Sequence, residues 1–349
     1  MTKKQITDES YFTSNEKDVR TFSSGCTMLD QVLGGGWAVG RVTNIIGDKS
    51  AGKSLLAIEA CANFVSEFPN ARVKYVEAEA AFDVGYAEAL GLPVSSVDFA
   101  SVDDYGIKDA TNTVEGLHEY LVAVIDEKEE NEDEIPTMVI IDSLDAFSDR
   151  KEQEREIDKG TYGQDKAKKL SEMFRRLLAK LEKNNINLIV VSQIRDKIGV
   201  TFGEKTGRSG GRALDFYCSQ VIRIAECGKL KKTIKGVERP IGVKVKVRCT
   251  KNKVGLPFRD CAYCILFGYG IWDIRATSEW LNEIGKFPWE KLGVKKGSKI
   301  ALNNFFTKVI DADFDEYDKA KTVLDTIAIK EWNDIEKSFL PKRGKYRKK

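Results

Sequence analysis

Gly47–Ser54 reads GDKSAGKS, which fits the spacing G-x-x-x-x-G-K-[ST]. Glycines at Gly47 and Gly52 let the backbone turn its N–H groups inward around a phosphate chain. Lys53 brings a point charge to the β- and γ-phosphates, and the Ser54 hydroxyl can ligate Mg²⁺. The stretch that would touch a nucleotide is thus Gly47, Asp48, Lys49, Ser50, Ala51, Gly52, Lys53 and Ser54, together with Leu55. Gripping a triphosphate such as ATP also needs a second anionic position for Mg²⁺. Asp142, at the end of the apolar run Thr137–Ile141, suits it. Hydrolysis needs a group that orients or deprotonates water, and Glu77 and Glu79 in VEAEAAFD are both candidates. Residues two apart on a strand share a face, so spacing does not choose between them. Gln193 ends another apolar run, NLIVVS; a neutral amide there can hold a γ-phosphate and loses that partner on hydrolysis.

The elements around these residues give them their context. Val42–Ile46 reads as a short buried strand and Leu55 onward as a helix, so the order is strand, glycine loop, helix. A glycine turn before an ordinary helix is the plain alternative, and the flanking strand and helix weigh against it. Further strands are expected at Arg72–Ala78, Val97–Ser101, Thr137–Ile141 and Asn187–Val191. Helices are expected at Asp83–Leu90, Asn112–Glu127 and Gln164–Lys183. From Tyr217 the pattern changes to strands, Gln220–Ala225, Gly242–Thr250 and Ala262–Phe267, with Lys229–Arg239 a basic hairpin or loop. Strands alternating with helices, followed by a run of strands, predict an α/β fold whose sheet is parallel at its centre and antiparallel at one edge. The expected division is an arm at 1–20, a core at 21–274, a small helical domain at 275–340 and a basic tail at 341–349.

The chain has 349 residues, 42% of them hydrophobic, and a net charge of +2. Near-neutral charge does not announce nucleic acid, so any polyanion binding must come from local patches. No apolar run approaches membrane-spanning length and the first residues lack an apolar signal region, so a cytosolic protein is expected. Seven cysteines are scattered through apolar runs, as suits reduced core thiols. Cys261 and Cys264 form one C-x-x-C on a strand-like run without a second pair, so no zinc or redox site is expected. The single histidine, His118, all but excludes a histidine-based triad.

Two long stretches have the chemistry of single-strand binders. Gln193–Arg212 offers Arg195, Lys197, Arg208 and Arg212 for phosphates, and Ile198, Val200 and Phe202 as apolar wedges between bases. Gly210 and Gly211 precede an expected helix, so their N–H groups can face a phosphate. Ser148–Gly163 and the helix after it offer Tyr162, Lys166, Lys168, Lys169, Arg175 and Arg176. A charge run is usually a solvated face, but here the cations share loops with glycines and wedges.

With these motifs in view, the chain resembles the RecA family of homologous-recombination ATPases, and within it the UvsX-type recombinases of bacteriophages. The resemblance runs from about Thr21 to Ile274. It rests most on QIRDKIGVTFG…SGGRALDFY at 193–217, on VEAEAAFDVGYAEALG at 76–91 and on YFTSNEKDVR at 11–20. It implies Glu79 rather than Glu77 as the catalytic base, Asp142 as the Mg²⁺-associated acid and Gln193 as the γ-phosphate sensor. It implies Asp83 and Tyr86 at the adenine, Lys251 and Lys253 reaching the ATP of an adjacent subunit, and Phe216 at the interface between subunits. ATP would then lie between protomers of a helical filament on single-stranded DNA that captures double-stranded DNA, with single-strand-binding and mediator proteins as further partners.

The chain departs from the family in three places. The N-terminal region is short, and Phe12 is expected to anchor it on a neighbour. The first loop does not align cleanly. The tail is basic where the family's tails are acidic, so it is expected to add to DNA attraction. Two rivals use the same core. A ring helicase needs the phosphate loop but not the GGRALDFY segment, and a non-enzymatic accessory protein would have no use for Glu79 and Gln193.

Overall fold

The computed structural model describes residues 19–79, 82–101, 105–132, 134–153, 163–196, 206–207, 213–297 and 299–343. For residues 163, 164, 195, 196, 206, 207 and 213 it describes the backbone alone. Phe12, Tyr162, Lys197, Ile198, Val200, Phe202, Arg208, Gly210, Gly211 and Arg212 lie outside the described residues.

In chain order, a small ribbon pairs β1 (Thr21–Phe22) with β2 (Trp37–Ala38) around helix α1 (Thr27–Leu33). Next come β3 (Val42–Gly47), α2 (Lys53–Glu67), β4 (Val73–Glu77), α3 (Val84–Ala89), β5 (Val97–Phe99), α4 (Val114–Glu130) and β6 (Thr137–Asp142). After a short helical turn at Arg150–Gln153 come α5 (Gly163–Lys183) and β7 (Ile186–Gln193). A pair of two-residue strands, β8 (Arg195–Asp196) and β9 (Thr206–Gly207), leads to α6 (Ala213–Tyr217). The antiparallel run is β10 (Gln220–Ile234), β11 (Val237–Asn252), β12 (Asp260–Leu266) and β13 (Gly270–Ile271). Helices α7 (Asp273–Glu283), α8 (Lys299–Ile310) and α9 (Phe314–Phe339) complete the chain order.

The main sheet has the order β13-β12-β11-β10-β3-β7-β6-β4-β5. Neighbours from β10 through β5 are parallel, and those from β10 through β13 are antiparallel. Thus the sheet is parallel at its centre and antiparallel at one edge, as expected. Its central strands read as continuous apolar runs because both faces are covered. Side chains alternate between the covers. Ile45, Met138, Ile140, Ile189 and Val191 pack with α2 on one side. Val42, Ile46, Val139, Ile141, Leu188 and Val190 pack with α4 and α5 on the other.

Two elements run further than periodicity implied. Helix α4 continues through Glu130, past its expected end at Glu127. β10 and β11 pair from Gln220↔Asn252 to Ile234↔Val237 with three shifts of register, so the basic Lys229–Arg239 segment is a strand hairpin. It turns at Lys235 and Gly236, both at positive φ (51° and 80°), as tight hairpins require. At the C-terminal end, α7 spans the expected 274/275 boundary. One apolar cluster continues from Phe64 and Cys249 to Phe305, Phe306 and Leu324.

Candidate nucleotide site

Parallel register brings the candidate chemistry to one edge. Gly47 at the end of β3 lies opposite Gln193 at the end of β7, and Glu77 at the end of β4 lies opposite Asp142 at the end of β6. Strands that all point one way present their carboxyl ends together, and the loops leaving them share a crevice.

The loop after β3 has the backbone its composition demands. Gly52 has φ +87°, and a Cβ there would come 2.7 Å from Ile265. Gly47 lies so close to β10 that a Cβ would sit 2.6 Å from the Ile224 carbonyl oxygen. Gly52 therefore has a conformational reason and Gly47 a steric one. Lys53 begins α2, is largely buried, and donates from Nζ to the Asp48 carbonyl at 2.7 Å. Burial lowers its pKa, against the pull of Asp142, Glu79 and Asp145. Burial likewise raises the Asp142 carboxyl, against hydrogen bonds from the Ser54 and Tyr75 hydroxyls. The Tyr75 contact is 3.0 Å. Ser54 and Asp142, the two candidates for Mg²⁺, thus meet directly.

Glu79 and Gln193 also meet. The Gln193 side-chain amide donates to Glu79 Oε1 at 2.7 Å, and Ser143 Oγ donates to the same oxygen. Glu77 is turned onto the backbone, accepting from the Glu79 N–H at 2.9 Å. The Gln193 N–H donates to the buried Asp145 carboxylate at 2.6 Å. Asp83 caps α3, accepting from the Tyr86 N–H at 2.9 Å. The Tyr86 hydroxyl is pushed up to about 12 by burial and by the nearby Glu59.

Ser143, Asp145, Tyr75 and Glu59 were not singled out from sequence. Ser143 and Asp145 come directly after Asp142 in DSLD, and that run of polar residues off a buried strand was the available signal. Tyr75 gave none, because a strand tyrosine reads as core.

The cationic candidates divide. Lys166 corrects the expectation placed on it. It is 7% exposed and its ammonium donates to the Leu144 and Phe147 carbonyls, so it braces the exit of β6 rather than facing a polyanion. Lys169 pairs with Glu115 and Asp149, a second internal brace. Lys168, Arg175 and Arg176 are exposed on α5; Arg176 pairs with Glu172, and Lys168 lies 3.8 Å from Asp165. Lys251 Nζ donates to the Asp215 and Phe216 carbonyls, both at 2.7 Å, and Lys253 is exposed. Phe216 is 75% exposed, and Leu256, Phe258 and Phe267 are also exposed.

No described helix is long and apolar enough to cross a membrane. The described cysteines are all free, and no cluster of candidate metal ligands from His, Cys, Asp and Glu alone occurs among the described residues.

The RecA N-terminal domain model matches residues 4–272. DNA repair protein recA homolog 1, chloroplastic, of Arabidopsis thaliana is 36% identical over 253 residues, 72% of this chain and 53% of that protein. Protein RecA of Crocosphaera subtropica is 35% identical over 253 residues, 72% of this chain and 66% of that protein. The matched part thus spans between about half and two thirds of these relatives' lengths. The RadB recombinase crystal structure is similar over 71% of this chain and 97% of its own, with a TM-score of 0.47 and 20% identity. The matched stretch takes in the phosphate loop, Glu79, Asp142 and Gln193, and the chain belongs to the RecA family.

Proposed function

We propose that this protein is an ATP-hydrolysing recombinase of the phage UvsX type that polymerises on single-stranded DNA, captures homologous duplex and exchanges strands. The observation that carries this reading is the Gln193–Glu79 hydrogen bond at the edge of the sheet. It joins a candidate base to the residue that opens the 194–212 segment, so nucleotide chemistry and a cationic loop share one contact.

The residues fit ATP and Mg²⁺. Ser50 and Gly52 have positive φ, so the 47–54 loop has the turned backbone of a phosphate cradle. Ser54 and Asp142 would hold Mg²⁺, which when bound neutralises phosphate charge. Lys53 would exchange the Asp48 carbonyl for phosphate oxygens. Glu79 would take a proton from the attacking water, a role worth about 10²–10⁴-fold in rate. The Gln193 side-chain amide has two N–H donors, so it could serve a γ-phosphate as well as Glu79 and would couple that phosphate to the 194–212 segment it opens. Lys251, Lys253 and the exposed Phe216 support a site completed by a neighbouring subunit.

ATP hydrolysis with and without single-stranded DNA, followed by a joint-molecule assay with homologous duplex, tests the reading. Stimulation by DNA and ATP-dependent joint molecules are expected, and Lys53→Ala should abolish both. DNA complexes equally tight with and without ATP would refute the coupling. Hexameric rings in place of filaments by negative-stain microscopy would favour a helicase.

A further inference from the structure

The C-terminal helices form a hollow of about 460 Å³, open to solvent, whose lining residues all lie between Lys291 and Val323. Its walls are α8, α9 and the segment before α8. The floor is apolar: Leu292, Val294, Phe305, Val309, Ala320 and Val323. Four lysines line it as well, Lys291, Lys295, Lys308 and Lys319, against one acid, Glu316. Glu316 is already paired with Lys308. Lys291, Lys295 and Lys319 are exposed and have no ion-pair partner among the described residues.

We infer that this hollow docks an acidic peptide segment of a partner protein, seated by an apolar anchor side chain. The volume falls within the ~300–1,000 Å³ of ordinary ligand pockets. Unpaired lysines around an apolar floor complement a segment that carries acids beside a large apolar residue. Charge sets register and encounter, while burial of the anchor supplies most of the affinity.

A single nucleic-acid strand fits less well. It would use the lysines, but it needs an aromatic face for its bases. The one aromatic lining residue, Phe305, is 7% exposed. The chain's own tail, Lys342–Lys349, carries the same sign of charge as the rim. The inference stands apart from the recombinase reading, because none of these residues belongs to the nucleotide site.

The test is fluorescence anisotropy on the full-length protein. The probe is a fluorescein-labelled octapeptide alternating glutamate and phenylalanine. The controls replace glutamate by glutamine or phenylalanine by serine. The acidic, aromatic peptide should bind and both controls should bind at least about tenfold more weakly. Lys291→Glu with Lys319→Glu should weaken binding by a similar factor while DNA-free ATP turnover and circular dichroism stay unchanged. Val323→Trp, and separately Ala301→Phe, fill the hollow without altering charge and should also weaken binding. No binding by the unaltered protein would overturn the proposal. So would a glutamate–serine peptide that binds equally well, or filled variants that bind as before: either makes the site a general polyanion patch. Displacement of the peptide by oligothymidylate, with the filled variants unaffected, would assign the lysines to nucleic acid instead.

Discussion

Glu79 Oε1 accepts two donors, from Gln193 and Ser143, which engage that one oxygen and set the orientation of the carboxylate. Removing the proposed base and removing its holder should therefore differ. Glu79→Gln should lower turnover by about 10²–10⁴-fold with ATP-dependent DNA binding retained. Ser143→Ala should lower kcat by roughly tenfold with KM unchanged, through loss of orientation, and Ser143→Thr should recover part of it. Equal kcat for Ser143→Ala and the unaltered protein would show that the contact does no positioning.

A second carboxyl offers a pH test. Glu59 Oε1 accepts from the Ile271 N–H at 2.8 Å, and its buried Oε2 has no partner among the described residues. Burial pushes this group from 4.5 up to about 8. The folded chain therefore holds a proton that the unfolded chain releases between those values. The stability it contributes is complete below about 4.5 and is lost as pH rises through about 8. Glu59→Gln should gain on the unaltered protein between pH 5 and 8.5 by a few kcal/mol, at about 1.4 kcal/mol per unit. Parallel urea midpoints across that range would refute it.

Among elements, α5 is the one whose function changes most between sequence and structure. It is amphipathic and basic, and a basic helix after a polar loop reads as a DNA contact. Yet Lys166 and Lys169 point at the body of the protein, to carbonyls and carboxylates at the start of α4 and the end of β6. Their work is to hold the segment that carries Ser143 and Asp145. Lys166→Met should cost about 1–3 kcal/mol by orphaning two carbonyls. Affinity for single-stranded DNA should be unchanged in the folded variant. A loss of DNA affinity without a loss of stability would return Lys166 to the binding face. Arg175 and Arg176 are exposed on the same helix, and the reading of a cationic face rests on them and Lys168.

At the scale of the whole molecule, the C-terminal helices are tied to the core by a partly buried ionic cluster. Asp273 at the start of α7 accepts from the Thr27 N–H of α1 at 2.8 Å and binds the Lys321 ammonium of α9. Lys321 also reaches Asp325 at 2.8 Å, and Asp325 accepts from the Thr27 hydroxyl at 2.8 Å. Three elements far apart in sequence share one cation. Asp273 is 3% exposed, so removing its partner strands a buried charge. Lys321→Met should lower unfolding stability by about 3 kcal/mol. Adding Asp273→Asn should recover part of that loss, since the stranded charge is then gone. Additive losses in urea denaturation would show that the two residues do not act as a unit.

Local spacing by itself determined much here. GDKSAGKS between an apolar strand and a helix specified the phosphate loop, because turning a backbone around an anion requires glycine at set intervals. Apolar runs ending in Asp142 and Gln193 specified buried parallel strands with polar ends. What spacing left open was any choice between neighbours. Glu77 and Glu79 were equivalent on a strand, and tertiary contact distinguishes them: one is turned to the backbone, the other meets Gln193 and Ser143. Lysines on α5 were equivalent as charges until packing turned Lys166 inward. The C-terminal hollow and the Asp273–Lys321 cluster had no signature at all, since each is assembled from residues that only the folded chain brings together. A strand or loop is coded by residues a few positions apart, whereas the direction and partner of a side chain are set by elements that arrive from elsewhere in the chain.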